Sequence, residues 1–384
     1  MIVKSILDLD FYKLTMGNVV FHRYPTAEVD YKFVCRNKDV NLLPYLEDIQ
    51  EEIKSLETLS LTDSELKYLS KITFLDPAFI RFMGQLRLHP EDEVYVYNDG
   101  NNLGIKIEGS WLQVIWYETM ILAIVNEIYF RDKIPKDFAI KTAKERLYPK
   151  VDLLEKNPEV KISDFGTRRR HSFEVQELVV STLKYLPNFM GTSNVHLAMK
   201  YNLKPIGTMA HEYISAHQAI TRVQDSQKMA LDVWAKDFDG NLGIALTDTI
   251  NMDAFLKDFT RFYAKLFDGC RHDSGDPVIW GEKLIEHYKG LGINPTTKTI
   301  VFSDGLDVPY AIRLYDHFKG KINVAFGIGT NLTNDIGLKA LNIVIKMSKC
   351  NDQPVAKISD NASKNICDDP VYVAYLKSAF GIKS

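Results

Sequence analysis

From about residue 135 onward the chain repeats one unit: a short apolar run, a polar or glycine-rich loop, then a stretch of helical periodicity. This is the βα pattern, and it dictates a parallel sheet, because each crossover helix returns the chain to the end of the sheet where it started. The loops are 163–168 (Ser-Asp-Phe-Gly-Thr-Arg), 190–194 (Met-Gly-Thr-Ser-Asn), 207–212 (Gly-Thr-Met-Ala-His-Glu), 247–249 (Thr-Asp-Thr), 271–277 (Arg-His-Asp-Ser-Gly-Asp-Pro), 303–307 (Ser-Asp-Gly-Leu-Asp) and 327–331 (Gly-Ile-Gly-Thr-Asn). Polar groups at all of these strand ends suit an α/β barrel, which gathers its reactive residues at one rim. An open doubly wound sheet would concentrate them at a single switch point.

The first part differs in texture. Leu7 to Tyr24 has helical periodicity, Glu28 to Val34 alternates as a half-buried strand, strands are expected at 93–97 and 103–108, and 42–69 reads as helix and turn. The expected division is an N-terminal α+β domain over 1–134 and an α/β barrel over 135–345. The closing segment 346–384, with a strand at 355–358 and a helix at 370–380, is expected to pack back on the first domain. The most apolar run, 111–130, carries Gln113, Glu118, Asn126 and Glu127, which predicts a buried helix and no membrane span.

Lys plus Arg number 47 against 50 Asp plus Glu, a net charge of −3, so neither nucleic acid nor a membrane surface is an expected partner, and any anion site must be local. Cys35, Cys270, Cys350 and Cys367 are far apart and without metal-ligand spacing, and the N-terminus carries no signal-peptide pattern. A reducing cytoplasm is the expected location.

Within the loops, Gly327 and Gly329 let backbone N–H groups approach a phosphate, with the Thr330 hydroxyl as a further donor; an ordinary two-glycine turn has the same sequence. Asp304 beside Gly305 suits ribose hydroxyls or Mg²⁺ through water, whereas Asp307 reads as a helix N-cap. In 271–277, Asp276 is the expected cap of the next helix, leaving Arg271 to grip a carboxylate or phosphate and Asp273 in need of a role. Arg168, Arg169 and Arg170 make a second basic cluster, either a solvated face or with one member turned inward. His211 follows an apolar run, and a carboxylate, from Glu212 next to it or Asp248 on the following strand end, can hold its ring in one tautomer, leaving the other nitrogen as nucleophile or base.

In order along the chain, Asp10 to Met16, Asp164 to Arg168, Gly191 to Asn194, Gly207 to Glu212, Arg271 to Pro277 and Phe326 to Asn331 resemble the motifs of nicotinate phosphoribosyltransferases. The resemblance implies an irregular seven-stranded barrel of the type II phosphoribosyltransferase kind, set against an N-terminal α+β sandwich, usually in a homodimer with shared active sites. It also implies the activity: nicotinate and 5-phosphoribosyl 1-diphosphate give nicotinate mononucleotide and diphosphate in NAD synthesis. ATP hydrolysis is coupled through a phosphohistidine, and Mg²⁺ is required. His211 would be the phosphorylated residue and Asp248 its partner. Tyr12, reaching across a dimer interface, and Phe165 would sandwich the pyridine ring, with Thr208 and Arg271 near nicotinate. Arg168, Asp273, Gly305, Gly327, Gly329 and Thr330 would hold the phosphoribosyl group and metal. Ser193 stands where the nicotinamide-using relatives carry an aspartate that would repel the acid, so nicotinate is expected over nicotinamide. A non-catalytic nucleotide sensor on the same fold is the rival from another class.

Overall fold

Among the described residues eleven strands form two sheets, and the chain crosses between them at both ends. In chain order they are β1 (Glu28–Cys35), β2 (Val94–Asn98), β3 (Leu103–Ser110), β4 (Ile162–Asp164), β5 (Phe189–Thr192), β6 (Ile244–Leu246), β7 (Gly269–His272), β8 (Thr299–Phe302), β9 (Asn323–Ile328), β10 (Ile343–Cys350) and β11 (Gln353–Pro354). The computed structural model describes residues 1–100, 102–359, 367 and 369–382.

The βα part gives an α/β fold with a six-stranded parallel sheet in the order β5-β4-β9-β8-β7-β6. Its short strands are apolar because both faces are covered: Ile162, Cys270, Ile300, Phe302, Phe326 and Ile328 are all buried, and the Phe302 and Phe326 rings stack at 5.8 Å. The ladder has one strand fewer than the loops suggested. Where that strand was expected, Pro205 makes one isolated parallel bridge to Thr192, and Ile206 N–H donates to Thr192 O at 2.9 Å. The Thr208 hydroxyl then donates to Ile244 O of β6 at 3.0 Å. The segment thus touches both edge strands without forming a ladder. Pro205 has no N–H to give, and the chain beyond it is committed to the first helix, Phe11–Arg23, where Thr15 Oγ1 donates to Thr208 O at 2.5 Å.

The second sheet is antiparallel, in the order β11-β10-β1-β3-β2. β1 lies inside it, with Tyr31 opposite Ile107 on one side and Met347 on the other. The boundary expected at 345/346 falls within β10, because Ile343, Ile345 and Met347 form one buried face that pairing with β1 keeps continuous. The stretch 355–358 forms no strand element; Ala356 N–H and O instead pair with the Gln218 side-chain amide at 2.9 and 2.8 Å.

Residues 111–130 fold as two helices, Trp111–Val114 and Tyr117–Arg131, the second buried nearly all round. Among the described residues no helix is long and apolar enough to cross a membrane. The chain's start crosses to the parallel sheet: Phe11 N–H donates to Ser193 O at 2.7 Å and His196 N–H to Leu7 O at 2.8 Å. Asp8 meets the fully buried Arg170 in two hydrogen bonds of 2.6 and 2.8 Å.

Candidate active site

A cavity of about 310 Å³ opens at the C-terminal ends of the parallel strands and is closed from the opposite side by β10 and the first helix. Of the residues singled out from sequence, Tyr12, Phe165, Arg168, Ser193, His211, Arg271, Asp273, Asp304, Gly305, Gly329 and Thr330 line it. Tyr12 reaches the cavity of its own chain. Thr208, Asp248 and Gly327 stand behind the wall. Thr208 spends its hydroxyl on β6. Gly327 backs the aromatic wall, since a Cβ on it would lie 2.1 Å from the Phe165 ring.

The loop after β7 divides its labour. Asp276 Oδ1 accepts from Val278 N–H and Ile279 N–H at 2.8 and 2.9 Å, capping helix Pro277–Gly290. His272 is a core residue, its ring 5.4 Å from Trp280 and 5.6 Å from Phe302. Arg271 and Asp273 face the cavity. Arg271 Nη1 donates to Met209 O at 3.2 Å, and its buried Nε has no hydrogen-bond partner among the described residues. Asp273 accepts from Ser303 Oγ at 3.0 Å. Burial works against its ionisation, but Arg271 and His211 outweigh that and hold the carboxyl down to about 2.

His211 opens helix His211–Ile220. Its Nε2 lies 2.8 Å from Asp248 Oδ1 and 3.6 Å from Asp273 Oδ2. Burial, reinforced by the Lys357 ammonium, pushes the imidazole down to about 4 against the pull of the two carboxylates, so near neutral pH the ring is uncharged and keeps one lone pair. His211, Asp248 and Asp273 bring possible metal-ligand atoms within 4.8 Å of one another. The Lys357 ammonium, 2.8 Å from both His211 Nε2 and Asp248 Oδ2, already supplies the positive charge there.

Of the three arginines, Arg168 and Arg169 line the cavity and Arg170 points into the core at Asp8. Burial together with Arg168 and Arg36 lowers Arg169 to about 10. Beneath this wall lies a charge cluster that no local motif announces. Fully buried Lys13 meets Glu118 at 2.7 Å and Glu212 at 2.8 Å, while Glu118 also faces Arg168 at 3.7 Å and takes the Tyr12 hydroxyl at 3.4 Å.

Sequence reasoning also missed Asp10, Arg36, Lys346 and Lys357, which line the cavity from the chain's two ends. Burial, with Lys357 and Arg36 nearby, lowers Lys346 to about 7. Ser193 Oγ donates to Asp10 Oδ1 at 2.5 Å, so a carboxylate stands at this wall although position 193 carries none. Burial raises its pKa, against Arg168.

The similarity to known proteins covers both sheets. Residues 160–384 match the sequence profile of the "Nicotinate phosphoribosyltransferase (NAPRTase) family" and residues 7–126 that of its N-terminal domain. A nicotinate phosphoribosyltransferase of Burkholderia mallei is 49% identical over 100% of this chain and 98% of its own length. Nicotinate phosphoribosyltransferase 1 of Pseudomonas aeruginosa is 50% identical over 99% and 97%. Among solved structures, the nicotinate phosphoribosyltransferase of Vibrio cholerae superposes with a TM-score of 0.94 at 41% identity, covering 100% of this chain and 94% of that one. The enzyme of Porphyromonas gingivalis gives 0.94 at 37%, covering 99% and 100%. With both profiles matched in order and relatives near half identity from end to end, the chain belongs to the nicotinate phosphoribosyltransferase family.

Proposed function

We propose that this protein transfers the 5-phosphoribosyl group from its 1-diphosphate to the ring nitrogen of nicotinate, releasing diphosphate, and that it draws on ATP by phosphorylating His211. The observation that carries the reading is the meeting, in one cavity, of two aromatic walls, an arginine pair and a histidine held by a buried aspartate. Tyr12 and Phe165 flank the pyridine ring, and Arg271 takes its carboxylate. Arg168, Asp273, Gly305, Gly329 and Thr330 hold the phosphoribosyl group, with Gly327 setting the Phe165 ring. Because Asp10 stands beside Ser193, the preference for acid over amide rests on Arg271 and Arg168.

As the sugar C1 loses diphosphate it gains positive character. Catalysis then consists of holding the ring nitrogen in line and stabilising the departing anion. Asp304, on the cavity wall near Asp273, fits Mg²⁺ through water by its oxygen chemistry, and the ion when bound neutralises the leaving diphosphate. A lone pair of neutral His211 attacks the γ-phosphorus of ATP, and ADP leaves as the P–O bond breaks. The added charge then tightens phosphoribosyl binding. The segment 205–208 serves as the irregular seventh stave of a barrel, and the assembly is a cytoplasmic homodimer.

The test is incubation with the phosphoribosyl donor, Mg²⁺ and either nicotinate or nicotinamide, with and without ATP, followed by detection of the mononucleotide. Faster turnover of nicotinamide reverses the substrate assignment. A His211→Ala protein whose ATP stimulation is intact removes His211 from the mechanism.

A further inference from the structure

The loop after β4 has an inner and an outer set of side chains. Asp164, Thr167 and Arg170 are fully buried, while Phe165, Arg168 and Arg169 line the cavity. The inner set recurs at every third residue, the period of the 3-10 turn Thr167–Arg169. One side chain meets all three of its members. Gln176, itself fully buried, donates from Nε2 to Asp164 Oδ2 at 2.8 Å and to Thr167 Oγ1 at 3.1 Å, and its Oε1 accepts from Arg170 Nη1 at 3.2 Å.

The partners fix which end of this amide is which, because a carboxylate only accepts and a guanidinium only donates. They also explain why the residue is neutral. A carboxylate here would pair with Arg170 and repel Asp164, and an ammonium would do the reverse; an amide donates at one end and accepts at the other. Gln176 lies in helix Phe173–Leu183, whose start is fixed by Val175 N–H donating to Ser172 Oγ at 3.2 Å. The loop thus folds back onto the first turn of its own helix. Asp164 is held further by Thr192 Oγ1 at 2.7 Å and Gly166 N–H at 2.8 Å, and Arg170 by Asp8. The charged groups around the amide are Asp164, Arg170 and Asp8, with Asp10 acting on Asp164, and Glu127 and Glu174 on Arg170. Burial raises Asp164 to about 6, against the pull of its three donors.

We propose that Gln176, which stands behind the cavity wall, is a positioning residue: by holding Asp164, Thr167 and Arg170 together it sets the turn that presents Phe165 and Arg168 to the substrates. This rests on the roles given above to Phe165 and Arg168, but the placement of the loop is a property of the resting protein and can be read without either substrate.

Two readouts are compared in the full chain. The first is hydrogen exchange of the amides of 164–171 without substrates, where Phe165 N–H donates to Ile328 O and His171 N–H to Thr333 O. The second is the pair of KM values for nicotinate and the phosphoribosyl donor. Gln176→Met keeps the length of the side chain and removes the amide. It should speed exchange over 164–171 while β1 and β3 keep theirs. Both KM values should rise about tenfold with a smaller effect on kcat, because Phe165 and Arg168 ride on the same turn. A residue serving stability alone would lower the urea midpoint and leave both KM values where they were. Gln176→Glu sets a second carboxylate beside Asp164, and two carboxylates sharing a site raise the pKa of one of them. Its KM values, taken as ratios to the parent at the same pH, should be high at pH 8 and fall toward parity at pH 6, where a shared proton restores the bond to Asp164. Gln176→Met with unchanged exchange and KM values overturns the inference. If that variant does not fold, Gln176→Glu with the same KM ratios at pH 6 and pH 8 overturns it. If neither folds, Thr167→Val, which removes one of the three ties, should raise both KM values by a smaller factor, and no rise overturns the inference. If Phe165→Leu and Arg168→Gln leave the KM values unchanged, the roles of those two residues fall, and the exchange comparison alone decides whether Gln176 sets the turn.

Discussion

Lys13→Met separates the buried charge cluster from the rest of the fold's stability. The ammonium it removes lies 2.7 Å from Glu118 and 2.8 Å from Glu212, with no exposure of its own, and Arg168 at 3.7 Å from Glu118 is the cation left nearby. Removing one partner of a buried pair leaves an uncompensated charge and costs about 3–5 kcal/mol. Protonation limits the cost, and Glu212 is the group able to supply it: burial, with Glu118 adding to the effect, raises it from 4.5 to about 7 despite Lys13. A carboxyl raised in the folded state lends stability that is whole below pH 4.5 and is lost as pH climbs through 7, after which the unaltered protein levels off. Without Lys13 the Glu212 pKa rises further, so the variant keeps losing stability where the parent has levelled. The expected penalty is about 3 kcal/mol at pH 6, growing by about 1.4 kcal/mol per pH unit above 7. Urea unfolding at pH 6, 7 and 8, followed by the fluorescence of the buried Trp111, Trp116 and Trp234, measures it. Adding Glu212→Gln should flatten the pH dependence. A penalty below about 1 kcal/mol, or one that does not change with pH, refutes the reasoning.

Gly327→Ala places a methyl group where the Phe165 ring now lies, 2.1 Å away, and the ring must move. The KM for nicotinate should rise about tenfold with a smaller effect on kcat, as displaced positioning contacts do; unchanged steady-state kinetics would count against Phe165 as a ring wall. Asp276→Ala strips two hydrogen bonds from a helix start and should cost about 1 kcal/mol in urea unfolding. Turnover should stay within about twofold, because Arg271 and Asp273 have their own partners; a large loss of activity would give Asp276 more than a capping role.

The βα periodicity was readable because each unit carries its own signal: an apolar strand, a polar loop end and a helix start such as Asp276-Pro277 or Asp307 before Pro309. The cavity residues at those strand ends came with it. What escaped was everything that depends on distant chain. Lys357 and Lys346 sit alone in ordinary sequence, and nothing near Lys357 says that His211, 146 residues before it, is its neighbour. The carboxylate bonded to Ser193 escaped for the same reason, since it comes from 183 residues earlier. The shortfall in the parallel ladder reflects Pro205 and the claim of the first helix on the residues after it, a tertiary choice that overrides a local strand pattern.

The placement of β1 between β3 and β10 has a consequence for synthesis. Glu28 N–H donates to Asn351, 323 residues away. At about 5–20 residues per second, a ribosome needs on the order of tens of seconds to deliver β10 after β1 has emerged. For that interval β1 can pair on one side only, and its other edge, with Tyr31 and Phe33 beside it, is open to any strand that reaches it. The first sheet begun is thus the last completed, and the outer edge of β1 stays open to unintended pairing until β10 arrives.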